Sequence, residues 1–146
     1  MIQIITATEK DIPLVAPLFD AYRIFYNQES DLAGAERFLK KRFANRESVI
    51  FLAMNEDEPI AFTQLYTTFS SVSMRPVLIL NDLFVSPSHR KKGVGEALLK
   101  HAKEYCLQMK YKGLALETAI DNPAQQLYER LGWQKDTHCF HYFWSA

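Results

Sequence analysis

The sequence has few cysteines and no excess charge of either sign. Its two cysteines, Cys106 and Cys139, are too few for a disulfide framework and show no metal-ligand spacing. The 17 lysine and arginine residues are balanced by 17 aspartate and glutamate residues, so nothing supports the basic face that general nucleic-acid binding requires. We therefore expect no metal site and no nucleic-acid partner.

Long apolar runs are also missing. No stretch approaches the roughly 18 uninterrupted apolar residues of a membrane-spanning helix. The first residues, Met1 to Thr6, lack the basic start and apolar core of a signal peptide. Repeats, low-complexity tracts and linkers rich in proline and glycine are absent as well. These features predict one domain over residues 1–146, in a cytoplasmic protein without a membrane partner.

Strand and helix patterns alternate along the chain. The predicted strands are Ile2 to Ala7, Ser48 to Met54, Ile60 to Phe69, Pro76 to Val85, Leu114 to Thr118, and a closing hairpin of Trp133 to Gln134 and Cys139 to Trp144. The predicted helices are Thr8 to about Tyr22, with Pro17 expected to kink or shorten it, a second after Ser30 or Asp31, Gly93 to about Met109, and Asn122 to Leu131. This order predicts an α/β (α+β) fold with a mixed, mostly antiparallel sheet.

The most informative segment is a basic, glycine-containing loop between a strand and a helix. The strand ends in Leu83-Phe84-Val85, and the helix opens after Arg90-Lys91-Lys92-Gly93-Val94-Gly95. The first N–H groups of a helix have no partners within the helix and attract anions, above all phosphate. Glycine lets the backbone approach such a ligand closely, and arginine can donate twice to a phosphate. The segment therefore predicts a phosphate-binding loop.

Two other phosphate-binding motifs are excluded by the same residues. A Walker loop requires Gly-x-x-x-x-Gly-Lys-Ser/Thr, which this loop lacks. The dinucleotide fingerprint Gly-x-Gly-x-x-Gly is missing too. The remaining pattern is Arg-x-x-Gly-x-Gly after a strand that reads Leu-Phe-Val.

This pattern resembles the acetyl-coenzyme A binding motif of the GNAT superfamily of N-acetyltransferases. The resemblance is carried by Leu83, Val85, Pro87, Arg90, Gly93, Gly95 and Ala97-Leu98-Leu99. A second block about 30 residues further on, Asn122-Pro123-Ala124 with Leu127 to Trp133, is also similar to the family. The resemblance implies a sheet of six or seven strands with about four helices, split like a V beside the fourth strand.

The resemblance also implies roles for individual residues. Backbone groups of Leu83, Phe84 and Val85 are expected to bind pantetheine as an added strand would, and Asn122 is expected to bond to the same arm. The pyrophosphate of acetyl-coenzyme A is expected among Arg90, Lys91, Lys92, Gly93, Val94, Gly95 and Glu96. Tyr128 matches the tyrosine that often protonates the departing thiolate. The implied reaction is direct attack of a primary amine on the thioester in a ternary complex.

The general base and the residues of the acceptor pocket have to be chosen among several candidates. Asp82 and Glu117 are both candidate bases. The strand around Asn81 resembles that of diamine and polyamine acetyltransferases, where this position is commonly acidic; the amide of Asn81 cannot act as a base. The acceptor pocket is expected to involve Tyr22, Phe25, Tyr26, Asn81 and Asp82, in a region that looks similar to Hpa-type histone and polyamine acetyltransferases.

Two further expectations concern the kind of protein. A non-catalytic module that senses acetyl-coenzyme A is the alternative to an enzyme, and the presence of both Asn122 and Tyr128 favours the enzyme. The aromatic residues of the last predicted hairpin, Phe140 to Trp144, suggest a homodimer.

Overall fold

The computed structural model describes residues 1–146 and contains a five-stranded sheet with four α-helices. The strands are β1 (Ile2–Thr6), β2 (Ser48–Asn55), β3 (Glu58–Ser70), β4 (Arg75–Val85) and β5 (Leu114–Ala115). The helices are α1 (Ile12–Phe25), α2 (Leu32–Ala44), α3 (Val94–Gln108) and α4 (Ala124–Arg130), and short 3₁₀ turns cover Glu9–Asp11 and Pro87–His89. None of the helices combines the length and the apolar character needed to cross a membrane.

The strands lie in sequence order, and the sheet opens beside β4. The first four strands pair antiparallel, whereas β4 and β5 pair parallel. This last pairing joins only Leu78 to Leu114 and Ile79 to Ala115. Beyond Ile79, the β5 side of β4 therefore has no neighbouring strand, and its backbone groups are left for other partners. The predicted split beside the fourth strand is confirmed.

A β-bulge in β4 changes the direction of its side chains. Gln64 pairs with Asp82 and Leu65 pairs with Leu80, so Asn81 is the extra residue. As a result, Leu80 packs with the core on the α3 side, whereas Phe84 packs with the core on the α1 side.

The two faces of the sheet carry separate apolar cores. On one face, α3 contributes Leu98, Leu99 and Ala102. On the other face, α1 and α2 pack Val15 and Leu39 against the sheet. Each fully buried leucine or valine side chain contributes about 1.5–3 kcal/mol relative to an exposed one. Both faces of β4 are thereby fixed in place around its open edge.

Helix α1 continues through Pro17 to Phe25. Of the two effects predicted for Pro17, a kink or an early end, the early end is wrong. Pro17 lies on the exposed face of the helix. The carbonyl of Pro13, which loses its usual helical partner at this point, therefore faces water. The capping residues predicted at Thr8 and Asp11 are present, since the Asp11 carboxylate accepts hydrogen bonds from the backbone N–H and the hydroxyl of Thr8 at 2.8 and 3.0 Å. They cap the 3₁₀ turn Glu9–Asp11, and α1 itself begins only at Ile12.

The predicted C-terminal hairpin is wrong, and the sheet has five strands rather than six or seven. Residues 131–146 contain no strand. Strand β5 is only two residues long, which gives a further strand little backbone to pair with. The side chains of Phe140, Tyr142, Phe143 and Trp144 are 84–90% exposed. Cys139 is exposed as well.

Candidate active site

A cleft of about 640 Å³, here called the main cleft, lies between the open edge of β4, the N-terminus of α3 and helix α4. It brings together most of the predicted cofactor and catalytic residues. Its lining includes Leu83, Phe84, Val85, Arg90, Lys91, Gly93, Val94, Gly95, Glu96, Glu117, Asn122 and Tyr128. Lys92 is the one predicted loop residue that does not line it.

The backbone of the loop between β4 and α3 leaves room for a ligand to come close to it. Gly93 is the residue before α3 and has a φ of 81°, in the left-handed region that favours glycine. A Cβ at Gly93 would meet no atom of the chain within 4 Å, so the space above it is open. At Gly95, a Cβ would lie 3.7 Å from the Val85 side chain, so α3 packs closely on β4. The N–H groups of the first turn of α3 thus face an accessible space beside β4.

Arg90 is folded back onto the end of β4. Its Nε donates to the carbonyl oxygen of Val85 at 2.8 Å. The guanidinium carbon lies 5.4 Å from the ring centroid of Phe84 and 5.8 Å from that of Phe25. These contacts hold the guanidinium at the mouth of the main cleft and add cation–π attraction.

Glu96 places a negative charge in the first turn of α3. Its carboxylate lies 3.0 Å from both Arg130 and Lys100, and the hydrogen bonds from these two residues lower the pKa of Glu96. The two cations offset its charge, so Glu96 does not oppose an anion at the helix N-terminus. The Arg130 contact also joins α4 to α3 across one end of the main cleft.

Asn122 and Tyr128 lie on the α4 side of the main cleft. The Oδ1 atom of Asn122 accepts a hydrogen bond at 2.9 Å from the N–H of Ala124, the first residue of α4. The Tyr128 side chain is only 9% exposed and packs edge-on against Trp133. Burial, and secondarily the proximity of Tyr26, raises the pKa of Tyr128. Its hydroxyl therefore keeps its proton at neutral pH.

The two candidate bases lie in contrasting surroundings. Glu117 lines the main cleft, but its side chain is 80% exposed, and its carboxylate lies 3.5 Å from His141. Asp82 is 3% exposed and does not line the main cleft, because the bulge at Asn81 directs its side chain toward α1 and α2. The carboxylates of Glu117 and Asp82 therefore do not lie in the same cavity.

The Asp82 carboxylate is held by a buried hydrogen-bond network. Gln64 Nε2 donates to Oδ2 at 2.5 Å, and Asn81 Nδ2 donates to Oδ1 at 2.8 Å. The hydroxyl of Tyr22 donates to the Asn81 carbonyl at 3.2 Å. Burial raises the pKa of Asp82, and the hydrogen bonds from Asn81 and Gln64 act in the opposite direction.

A second cavity of about 480 Å³ lies on the α1 and α2 side of the sheet. It shares Tyr22, Tyr26 and Asn81 with the main cleft, so the two spaces meet at the β4 bulge. Of the predicted acceptor residues, Phe25 lines only the main cleft and Asp82 only the second cavity.

The second cavity also contains residues that the sequence did not indicate. These are chiefly Phe38 and Tyr66. Phe38 belongs to the apolar pattern of α2, and such a pattern by itself indicates packing rather than a pocket. Tyr66 could have been found only from the strand register that places it near Asp82.

Comparison with known proteins identifies the family. Residues 15–133 match the model of the acetyltransferase (GNAT) family. The chain belongs to the GNAT acetyltransferase family. It is 53% identical over 137 residues to the uncharacterized N-acetyltransferase YhfO of Bacillus subtilis, covering 93% of this chain and 92% of YhfO.

Other acetyltransferases are similar to this chain in structure or in sequence. A crystal structure of a probable acetyltransferase has 37% sequence identity and a TM-score of 0.93, with 99% of this chain and 97% of that chain covered. The aminoglycoside N(6')-acetyltransferase type 1 of Acinetobacter haemolyticus is 27% identical over 113 residues, which is 75% of each chain. The predictions of a GNAT fold and of an acetyltransferase are confirmed.

Proposed function

We propose that the protein transfers the acetyl group of acetyl-coenzyme A to a primary amine by direct attack in a ternary complex. In this proposal, residues 1–146 form one catalytic domain that acts in the cytoplasm. The observation that carries it is the convergence of the phosphate-type loop, the open edge of β4 and the buried Tyr128 on the main cleft. The aminoglycoside acetyltransferase among the relatives supports an amine as the acceptor.

The residues of the main cleft fit the phosphate groups of coenzyme A. The N–H groups at the start of α3 are donors suited to a pyrophosphate, and the open space above Gly93 leaves room for one. The guanidinium of Arg90 keeps further N–H groups for an anion, because only its Nε is used by Val85. Lys91, which also lines the cleft, adds a second positive charge.

The open edge of β4 fits the pantetheine arm. Leu83 presents its backbone groups on the side where β5 has diverged. The backbone groups of Phe84 face β3 instead, because strand residues alternate between the two edges and the Ser86 N–H already bonds to Ile60 of β3. The Val85 carbonyl is already used by Arg90, and Oδ1 of Asn122 is used by the start of α4. The remaining donor of Asn122, its Nδ2, is the group that we expect to bind pantetheine. When bound, acetyl-coenzyme A supplies an activated acetyl group as a thioester.

Proton transfer would be divided between two buried side chains. An alkyl amine has a pKa of about 10.4 and must lose a proton before it attacks. Asp82 is the better candidate acceptor of this proton, because burial raises its pKa while the exposed Glu117 is open to water. The protonated hydroxyl of Tyr128 is the proposed proton donor to the departing sulfur.

A sensor that binds acetyl-coenzyme A without turnover would require only the loop and the edge of β4. The burial of Tyr128 beside the same cleft favours the enzyme over this alternative. We also propose that a homodimer covers the exposed aromatic side chains between Phe140 and Trp144, which light scattering in solution can test.

Two measurements on the purified protein test the function. Calorimetry measures binding of acetyl-coenzyme A and coenzyme A, and a thiol-release assay measures transfer to polyamines, lysine, aminoglycosides and basic peptides. Binding together with amine-dependent thiol release is the expected result. Binding with no release for any amine would favour the sensor, and absence of binding would overturn the cofactor assignment.

A further inference from the structure

The main cleft contains an arginine that has no part in the proposed function. Arg130 is the last residue of α4, and it lines this cleft together with Arg90 and Lys91. Its side chain is 60% exposed, so an anion from solution can reach it. Since the pyrophosphate is assigned to the loop at Gly93 with Arg90 and Lys91, Arg130 is available for a different anion.

Arg130 has a fixed partner within the chain. Its Nη2 donates a hydrogen bond to Oε2 of Glu96 at 3.0 Å. This contact leaves the Nη1 and Nε hydrogens of the guanidinium for a second partner. The ion pair also restricts the rotamers of Arg130, so that less conformational entropy is lost when a ligand binds.

Arg130 and Arg90 lie on different sides of the main cleft. Arg90 is held against the end of β4 by the Val85 carbonyl oxygen. Arg130 reaches from α4 to Glu96, which lies in α3 three residues after Gly93. Three residues of an α-helix correspond to about 4.5 Å along its axis. The two guanidinium groups are therefore placed to contact separate anionic groups of one ligand.

The charges around Arg130 favour an anion. The lining of the main cleft has three cations, Arg90, Lys91 and Arg130, and two carboxylates, Glu96 and Glu117. Lys100 lies outside the lining, but its Nζ is 3.0 Å from the Glu96 carboxylate, the same distance as Arg130. One carboxylate thus faces two cations at this end of the cleft, and the positive charge in excess attracts an anionic group.

Coenzyme A has two separate phosphate groups, a pyrophosphate and a monophosphate on the ribose. A guanidinium can donate two parallel hydrogen bonds to a phosphate, which an ammonium group cannot do. We propose, on the basis of the proposed function, that Arg130 binds the ribose 3′-phosphate of acetyl-coenzyme A. The protein thereby selects this coenzyme over nucleotides that have a pyrophosphate but no ribose phosphate, such as 3′-dephospho-coenzyme A.

Calorimetry with two coenzymes tests the role of Arg130. The wild type should bind coenzyme A about tenfold more tightly than 3′-dephospho-coenzyme A, which corresponds to about 1.4 kcal/mol. Arg130→Gln should weaken the binding of coenzyme A about tenfold and leave the affinity for the dephospho form unchanged. The preference for coenzyme A should therefore disappear in this variant.

Lys100→Gln is the matched control. Lys100 has the same 60% exposed side chain and the same Glu96 partner as Arg130, but it does not line the main cleft. This variant should keep the preference for coenzyme A. Arg90→Lys should give a third pattern, a loss of the same factor for both coenzymes, because both carry the pyrophosphate.

A purely structural role of Arg130 would give a different result. The Arg130–Glu96 contact joins α4 to α3, and a lysine can keep this ion pair while it loses the planar fork. If only the ion pair mattered, Arg130→Gln would weaken both coenzymes equally and Arg130→Lys would restore both. If Arg130 binds the ribose phosphate, Arg130→Lys should reduce the preference for coenzyme A and leave the affinity for the dephospho form unchanged.

Failure of the inference is distinguishable from failure of the proposed function. Equal affinity of the wild type for the two coenzymes, or an equal loss for both in Arg130→Gln, would overturn the inference and leave the cofactor assignment in place. Absence of coenzyme A binding to the wild type would overturn the proposed function itself.

Discussion

Arg90 donates its Nε hydrogen to the carbonyl oxygen of Val85 at 2.8 Å, and this bond joins the phosphate-type loop to the last residue of β4. The guanidinium is held at the same time by the rings of Phe84 and Phe25. A side chain that is fixed before its ligand arrives loses little conformational entropy on binding. The arginine is therefore better suited to a phosphate than a freely rotating surface cation would be.

The first prediction concerns this side chain. Arg90→Lys keeps the charge but loses the planar fork that can contact Val85 and a phosphate together. We expect the Kd of acetyl-coenzyme A to rise about tenfold. The affinity for S-acetylpantetheine, which has no pyrophosphate, should be almost unchanged in the same calorimetric assay. Lys92→Gln is the comparison, since Lys92 does not line the main cleft. Equal losses for both ligands would show that Arg90 serves the strand and not the phosphate.

The second prediction concerns Gly93 and distinguishes two effects of a larger side chain there. One is loss of the open space above the loop, and the other is backbone strain. Its φ of 81° is tolerated by asparagine but strains a β-branched residue by roughly 1–2 kcal/mol. Both Gly93→Asn and Gly93→Val fill the open space above the loop, so both should weaken acetyl-coenzyme A binding about tenfold or more. Only Gly93→Val should lower the free energy of unfolding, measured by urea denaturation.

Gly113→Val provides the matched glycine control. Gly113 lies outside both cavities, and a Cβ there also meets no atom within 4 Å. This variant should bind acetyl-coenzyme A like the wild type. Unchanged affinity in Gly93→Asn would remove the loop from the cofactor site.

The order of strands and helices was predictable because it depends on local patterns. The apolar periodicity of α3, the asparagine–proline start of α4 and the loop at Gly93 all act over a few residues. The C-terminal hairpin was not predictable in the same way. The aromatic residues between Cys139 and Trp144 favour a strand. A strand also requires a partner edge, and β5 is too short to supply one.

The composition of the site was predictable only in part. The predicted loop residues other than Lys92 line the main cleft, as do Asn122 and Tyr128, because they lie together in sequence or belong to one block. The position of Asp82 depends on the bulge at Asn81, which arises from the register between β3 and β4. No pattern in the sequence marks that shift, so the separation of Asp82 from Glu117 was not predicted.

The third prediction tests Tyr128 as the proton donor. Tyr128→Phe keeps the ring that packs on Trp133 and removes only the hydroxyl. Acetyl-coenzyme A affinity should be retained, and kcat should fall at least about tenfold, or about 1.4 kcal/mol. Tyr105→Phe is the control, because Tyr105 is also partly buried yet lies outside both cavities. A kcat equal to that of the wild type would exclude Tyr128 from the acid role.

The fourth prediction concerns Asp82 as the base. Asp82→Asn should reduce kcat about 100-fold or more, as expected for loss of a general base. Glu117→Gln is the matched variant at the other candidate carboxylate and should have little effect. A large loss in Glu117→Gln with a small loss in Asp82→Asn would reverse the assignment.

The dependence of stability on pH gives a fifth prediction, which also concerns Asp82. Burial raises the pKa of Asp82 above 3.8, so the stability contributed by its bound proton is full below that value and is lost as pH rises through the folded-state pKa. Asp82→Asn should therefore be more stable than the wild type at pH 7, and the difference should shrink as the pH falls toward 3.8. The asparagine amide can also donate to the unpaired Oε1 of Gln64.

Asp20 should show the opposite trend. Hydrogen bonds from the Ser30 hydroxyl at 2.6 Å and the Asp31 N–H at 2.8 Å lower the pKa of Asp20. Its stabilising contribution is therefore present above 3.8 and is lost as pH falls through the lower, folded-state pKa. Asp20→Asn should be less stable than the wild type at pH 7, with the difference disappearing in acid. Urea unfolding of both variants between pH 3 and 7 measures the two slopes, and slopes of the same sign would contradict the assigned environment of Asp82.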